Sequence, residues 1–384
     1  MDLFVVIGLI LVQVASYSTL YGLVKFSLIG SKGFLIGSYV SVIAVPFLTY
    51  LLFRRGFRNV DPLMYVFSIF SWAGLLNLGI VLELDGFIPK ALAPFTLEYL
   101  PFLKTAHGAV YLYWDGVVNF LLGIGCIALY TYRETHREVG LYWAGSVLNG
   151  YAVLLPAYFT AGKDEIGWTL FADSTFCVIP LLALINMIHN RTIQARTFIK
   201  FPPLWKRPVD LIFFLYFFVA MQIAVIRALA IHGANVPIIK QYVKSAEPYL
   251  ADPSGAPKFQ MLTYDYLYVC YYIFAMYGLW SPGQHWMGDF SLVHAGAAGQ
   301  AQFTYMAGAL NSRTSKSLRP PSGGKGAIIF WAVNGILFVM PHLFALFTQR
   351  DTEKFGRTQT IDFASPVRKY VYKFKETRYE RKVE

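Results

Sequence analysis

Tyr113-Trp114-Asp115-Gly116 lies inside an apolar stretch that runs from Gly108 to Tyr130. Tyr264-Asp265-Tyr266 lies inside a second such stretch, Met261 to Trp280, 150 residues further on. Each stretch has the length of a membrane-crossing helix, and each carries a carboxylate in its interior. A carboxylate at membrane depth costs about 2.5–3.5 kcal/mol on insertion scales, so it marks a functional site by default. The pair therefore decides two things: the chain is a membrane protein, and it contains a duplicated unit with an intramembrane polar site.

Working outward, the duplication extends to other residues. Asp61 matches Asp210 and Glu98 matches Glu247, both at an offset of 149. Asp115 and Asp265 are 150 apart, while Gly145 and Gly296, like Asn149 and Gln300, are 151 apart. Pro180 and Pro341 close the two copies at an offset of 161. The late jump predicts an insertion in the last loop of the second copy, around Arg319-Pro320-Pro321. Internal repeats are a common way to build membrane proteins around a central site.

Composition agrees with a membrane protein. The chain of 384 residues is 56% hydrophobic and only 14% charged, where soluble domains carry about 25% charged residues. Ten apolar segments of roughly helix-spanning length recur, at about 3–24, 33–53, 62–84, 108–130, 140–161, 168–189, 209–232, 261–280, 288–310 and 326–348. Lipid offers no partner to backbone polar groups, and these segments lack strict alternation, so they are helices rather than barrel strands. The expected fold is all-α: ten transmembrane helices, arranged as two leader helices followed by two pseudo-repeated four-helix bundles. The boundaries are 1–58 for the leaders, 59–189 for the first bundle, 190–207 for a basic linker, 208–348 for the second bundle and 349–384 for a basic tail. The first segment follows only Asp2, with no basic run and no small-x-small cleavage pattern. It reads as a retained anchor.

Charge sets the orientation. The net charge is +11, and with ten spans 20 of the 33 Lys and Arg residues fall on the side of the termini. The positive-inside rule then places both termini in the cytosol. Arg313, Lys316, Arg319 and Lys325 dissent, on the lumenal side. Spread along membrane-flanking loops, this charge reads as topology and not as a nucleic-acid surface. Cys126, Cys177 and Cys270 fall in spans and form neither a metal spacing nor a disulfide framework. The sequon Asn190-Arg191-Thr192 is cytosolic in this topology and should stay unmodified. No phosphate-binding glycine loop, zinc motif or nucleophile elbow is present.

The candidate site residues are Asp115 and Asp265, with Trp114 as an aromatic wall. They can anchor a lipid head group or act as acid and base, or they can be structural carboxylates paired with another helix. Arg227, within a span, can neutralise Asp265. Asn149, Gln300, Asn334 and Asp173 form a second tier, as ligand contacts or as amide glue between helices. Glu98 and Glu247, in the long lumenal linkers, either line an entrance or cap the next helix. His294 and His342 lack a partner motif and read as satisfied interior or interfacial residues.

Several motifs resemble the transmembrane 6 superfamily, with its two tandem EXPERA domains, over residues 59–348. They are Lys104-Thr105-Ala106-His107-Gly108 with Tyr113-Trp114-Asp115-Gly116, Leu141-Tyr142-Trp143-Ala144-Gly145-Ser146, Glu247-Pro248-Tyr249-Leu250-Ala251-Asp252-Pro253, and His294-Ala295-Gly296 with Gln300-Ala301-Gln302-Phe303. The resemblance implies a lipid-handling membrane protein, with one family member linked to loading neutral lipid onto secreted lipoproteins. The wider EXPERA group includes a sterol isomerase and the sigma-2 receptor, which enclose a ligand in a four-helix bundle. Asp115 and Asp265 look like the isomerase's carboxylate, and Asn334 like its last-helix asparagine. Its histidine and glutamate do not match: Asn77 and Val81 stand there in the first copy, Ile226 and Arg227 in the second. General acid/base catalysis needs titratable partners.

The expectation is therefore a protein that binds sterol or neutral lipid in intramembrane cavities lined by Asp115, Trp114, Asn149, Asp265, Gln300, Asn334, Glu98 and Glu247. No cofactor, metal or nucleic-acid partner is expected; membrane lipids are, with lipid-metabolism enzymes or lipoprotein-assembly proteins as further partners. A sterol isomerase and a lipid transporter or scramblase are the alternatives. Arg381-Lys382-Val383-Glu384 is a loose variant of a dilysine retrieval signal. It favours the endoplasmic reticulum, with endolysosomes as the alternative.

Overall fold

The computed structural model describes residues 2–54, 59–160, 167–190, 194–196, 201–355 and 358–360. The sequon's Arg191 and Thr192, most of the tail with its retrieval-like end, and the side chain of Asp173 lie outside the described residues. The fold is helical, apart from a three-residue parallel pair between Gln194–Arg196 and Thr358–Thr360.

Two leader helices, α1 (Asp2–Lys25) and α2 (Ser31–Phe53), come first. The next set is α3 (Leu63–Leu84), α4 (Leu92–Tyr99), α5 (Ala106–Trp114), α6 (Phe120–Thr131), α7 (Arg137–Thr160) and α8 (Gly167–His189). The same order then recurs as α9 (Pro208–Ile231), α10 (Pro237–Ser245), α11 (Ala256–Thr263), α12 (Val269–Trp280), α13 (Met287–Leu310) and α14 (Gly324–Arg350), with a short α15 (Thr352–Phe355) after it. Smaller features recur as well. A 3-10 turn precedes α5 at Pro101–Lys104 and α11 at Pro248–Ala251. A single π-turn joins α5 to α6 at Asp115–Asn119 and α11 to α12 at Tyr264–Tyr268. Single π-turns inside helices occur often at functional sites. The expected late insertion is the loop of residues 311–323, which stands where residues 161–166 join α7 to α8.

The two halves meet along α7 and α13. A Cβ on Gly145 would lie 1.9 Å from the carbonyl oxygen of Val293, and one on Gly296 would lie 1.9 Å from that of Tyr142. Tyr142 and Val293 are themselves 151 residues apart, so the contact is reciprocal, as across a two-fold axis. Only glycine lets the two backbones approach this closely, the usual role of small residues between membrane helices. The pattern continues outward, with α11 packed on α7 and α5 packed on α13. Arg137 locks the other end of the crossing through paired bonds of 2.9 and 2.7 Å to Asp289.

Six helical stretches are long and apolar enough to cross a membrane among the described residues: Leu3–Lys25, Ile36–Phe53, Leu63–Leu84, Ala106–Thr131, Pro208–Ile231 and Gly324–Arg350. The other four expected spans fall short for identifiable reasons. Helices α7 and α13 sit at the centre, where neighbours shield polar side chains such as Ser146, Asn149, Gln300 and Gln302 from lipid. α11 and α12 run through a π-turn as α5 and α6 do, but they carry six tyrosines and Asp265 between Ala256 and Trp280, which lower their hydropathy. α8 begins just past residues 161–166, and its described apolar part is Phe176–His189.

The leaders pack on α3, α4 and α6, all in the first half. Gln13 donates to the Ser68 carbonyl at 3.2 Å, and the hydroxyls of Thr49 and Ser68 lie 2.7 Å apart. No leader covers the second half. There α9 leaves Ile212, Leu215, Phe218 and Val219 exposed, as lipid-facing residues should be.

Candidate functional site

The first acid is held in a complete network. Asp115 opens the first π-turn and is buried. Asn77 on α3 donates to one carboxylate oxygen at 2.7 Å, and Asn119 donates to the other at 2.8 Å. Asn119 in turn accepts from the Ser146 hydroxyl at 2.7 Å, and that hydroxyl accepts from the Trp114 indole at 2.8 Å. Trp114 packs against Phe303 of α13, with ring centroids 5.0 Å apart. The structure thus brings Asp115 and Trp114 together, in a closed network that ties α3, the π-turn and α7.

The second acid has no such holders. Asp265 is half-buried in the second π-turn, with no hydrogen bond or ion pair among the described residues. Arg227 does not neutralise it, contrary to the sequence expectation. Arg227 instead forms a two-pronged pair with Glu247, one prong being Nε to Oε2 at 2.9 Å, and both residues are fully buried. Asn334 completes this cluster by accepting from Arg227 at 2.8 Å and donating to Glu247 at 2.9 Å. The Tyr305 ring lies under the guanidinium at 5.3 Å. The reason is local. The positions matching Asn77 and Asn119 are Ile226 and Val269, so the second half lacks both amide donors. Glu98, the counterpart of Glu247, is exposed on α4.

Asn149 and Gln300 meet between α7 and α13. Asn149 donates to the Gln300 side-chain oxygen and, at 3.3 Å, to that of Gln260. Its own oxygen accepts from the Tyr268 hydroxyl at 2.6 Å. All four residues are buried.

Beside this knot opens a cavity of about 980 Å³. It lies between α7, α12 and α13, and its wall is almost wholly apolar. Leu267, Ile273, Phe274 and Tyr277 line it and are each more than half exposed, so its mouth is rimmed by exposed apolar side chains. Of the eight sequence-predicted site residues only Asn149 lines it. In the first half the matching space is closed, because α6 packs directly on α7. Helices α12 and α13 barely touch. On the α13 side two lining positions are smaller than their first-half counterparts, with Ala297 standing where the first half has Ser146 and His294 where it has the bulkier Trp143. In the first half Trp143 fills the core against Phe67 and Phe70.

Two cavity residues carry buried polar atoms with no partner: the Tyr271 hydroxyl and Nε2 of His294. Sequence reasoning missed Tyr271 and read His294 as a satisfied residue. A tyrosine in an apolar helix looks like membrane packing, so the signal lay only in the change from Trp143 to His294. No group of three or more His, Cys, Asp or Glu residues that could hold a metal occurs among the described residues.

Comparison with known proteins fixes the relationship. The family described as "Transmembrane 6 superfamily member 2-like, transmembrane domain" matches residues 15–198. The mouse protein named Transmembrane 6 superfamily member 2 is 33% identical over 316 residues, covering 79% of this chain and 82% of its own. The chain belongs to the transmembrane 6 superfamily. The rat and human proteins of the same name are 32% and 30% identical, with the same coverage. No solved structure matches the chain. In the transmembrane 6 superfamily fold, the matched region 15–198 covers the C-terminal part of α1, all of α2 and the first half.

That geometry bears on acid/base chemistry. In this transmembrane 6 superfamily chain, the group nearest the Asp115 carboxylate on α3 is the amide of Asn77. An amide does not titrate, so it orients the carboxylate without relaying a proton.

Proposed function

We propose that this transmembrane 6 superfamily protein crosses the membrane ten times and binds a sterol or neutral lipid in the side-opening cavity of its second half. The observation that carries the reading is the apolar space of about 980 Å³ between α7, α12 and α13. Its size falls at the top of the range for ligand pockets, about 300–1,000 Å³, and its mouth faces the bilayer interior. A ligand would enter laterally from lipid, and van der Waals packing against the cavity wall would hold it there. The repeat is read as two EXPERA-type units, residues 59–189 and 208–348, behind leaders at 1–58. The basic segments 190–207 and 349–384 lie in the cytosol. In this reading Asp115, Trp114, Asn149 and Gln300 shape the wall between the units, while Glu247 and Asn334 hold its lumenal end. Asp265 and Glu98 stand outside the cavity. The protein acts by binding lipid and so altering its distribution in the endoplasmic reticulum, alongside enzymes or lipoprotein-assembly proteins of lipid metabolism.

The test is to purify the full chain in mild detergent and identify retained lipids by mass spectrometry. Ala152 lines the cavity, and Ala152→Phe fills part of it. A sterol or neutral lipid held by the wild type and lost from a folded Ala152→Phe protein is the expected result. Identical lipid profiles for the two proteins would refute the cavity reading.

A further inference from the structure

We infer that the second-half cavity selects a lipid alcohol, a lipid whose head is a free hydroxyl, and that Tyr271 and His294 are the pair that reads it. This rests on the proposed lipid-binding function and adds the chemical class of the ligand.

The argument begins with hydrogen-bond accounting. Polar atoms in the wall of an apolar cavity need partners, and leaving one unmade costs about 1–3 kcal/mol. Most polar groups in this wall are spoken for. The Thr263 hydroxyl donates to the Phe259 carbonyl at 3.0 Å, and the Cys270 thiol donates to that of Tyr266 at 3.2 Å. The Tyr268 hydroxyl is bound by Asn149. Tyr271 and His294 are the cavity-lining residues whose polar atoms are buried and unpartnered among the described residues.

They are also neighbours. Their ring centroids are 4.3 Å apart, with planes inclined by 31°. The rings of Tyr268 and Tyr272 meet His294 edge-on, at 4.9 and 5.4 Å, and fix the plane of the imidazole. Both atoms are covered in this structure, so a ligand hydroxyl reaches them by displacing the side chains that cover them, and there it can accept from the Tyr271 phenol. It can then donate to the imidazole nitrogen or accept from it, whichever tautomer is present. An ether oxygen only accepts, so it satisfies both groups in one tautomer and leaves a lone pair unmatched in the other. A lipid alcohol therefore suits this wall better than its capped form. The first half has Leu121 and Trp143 at the matching positions and offers no such pair.

The probes are tritiated cholesterol and, as competitors, cholesterol, its 3-methyl ether, dioleoylglycerol and trioleoylglycerol, on the full chain in detergent. Wild type is expected to bind at least one free alcohol about tenfold more tightly than its capped partner, methyl ether or triester. Which alcohol does so separates a sterol source from a glyceride source. Tyr271→Phe removes only the oxygen. It is expected to lower alcohol affinity about tenfold and leave the capped partner unchanged. His294→Leu should do the same, with His294→Gln restoring part of the preference. Equal affinity for free and capped forms in wild type would overturn the inference. So would a folded Tyr271→Phe protein with its preference intact. If both forms bind equally and Ala152→Phe abolishes both, the lipid-binding function stands and the hydroxyl reading falls. If none of the probes binds wild type, both fall.

Discussion

The two halves share an order of helices and differ in what they do with polar residues. In the first half, leader helices cover α3 and α6, α6 closes on α7, and Asp115 is met by two amides. In the second half no leader is present, α12 stands off from α13, and Asp265 has no partner among the described residues. The charge that the second half does bury, Arg227 with Glu247, lies away from its acid. One helical plan has been used twice, as a closed support and as an opened cleft. The change is carried by a few substitutions: Asn119 to Val269, Asn77 to Ile226, Ser146 to Ala297 and Trp143 to His294.

The largest effect should come from the second half's buried pair. Arg227→Met leaves Glu247 charged and unmatched, a loss of about 3–5 kcal/mol. Thermal unfolding in detergent should show a steep fall, and the double change with Glu247→Leu should recover most of it. In the first half the turn that follows α3 is fastened differently. Buried Glu83 accepts from the backbone amides of Ala91, Leu92 and Ala93 at 2.7–3.1 Å. If Arg227→Met proves silent, the second half is not held by this pair.

Next come the crossing glycines. Gly145→Val and Gly296→Val each push a side chain into a backbone carbonyl, and overpacking of this kind costs about 1–3 kcal/mol. The two losses should be similar, because the contacts are reciprocal. A loss in only one variant would break the two-fold relation between α7 and α13.

The acids should then part company. Asp115→Ala strands the amides of Asn77 and Asn119, at about 1–3 kcal/mol. Asp265→Ala removes no bond and should shift stability by less than about 0.5 kcal/mol. Equal losses would mean that Asp265 has a partner of its own weight.

The smallest effect is a pH dependence outside the spans. His136 lies 3.4 Å from Asp61, and its hydrogen bond, with one from the Leu63 amide, holds the Asp61 carboxyl below its ordinary range against the opposing effect of burial. A depressed carboxylate adds stability above its unfolded pKa and loses it as pH falls through the folded value. Melting curves of wild type and Asp61→Asn should therefore differ near neutrality and converge in strong acid. Convergence at neutral pH instead would remove the pair from the account.

Much of this architecture was legible in the chain. Segment length and composition give the helices, and the drifting offset gives the recurrence of their order and the longer last loop. Asn149 and Gln300 could be paired because both amides fall on the same repeat position. The π-turns could not be read, because each amounts to one extra residue in a helix with no change in composition. The partner of Arg227 was hidden too. Asp265 is the acid expected from symmetry, but the chain folds Glu247 back onto Arg227 in the C-terminal part of α9. The cavity was hidden because it arises from what α12 and α13 fail to fill. Only the paired changes to smaller residues hint at it.

The central claim is that lipid occupies the second half and not the first. It is tested most directly by photolabelling the full chain, in membranes, with a diazirine-bearing sterol and mapping the labels by mass spectrometry with and without excess cholesterol. The account predicts competable labels on the cavity wall, between Leu267 and Tyr277 and near His294, and none on the matching stretch Val117 to Ile127. Competable labelling of that first-half stretch, with the second-half wall unlabelled, would contradict it.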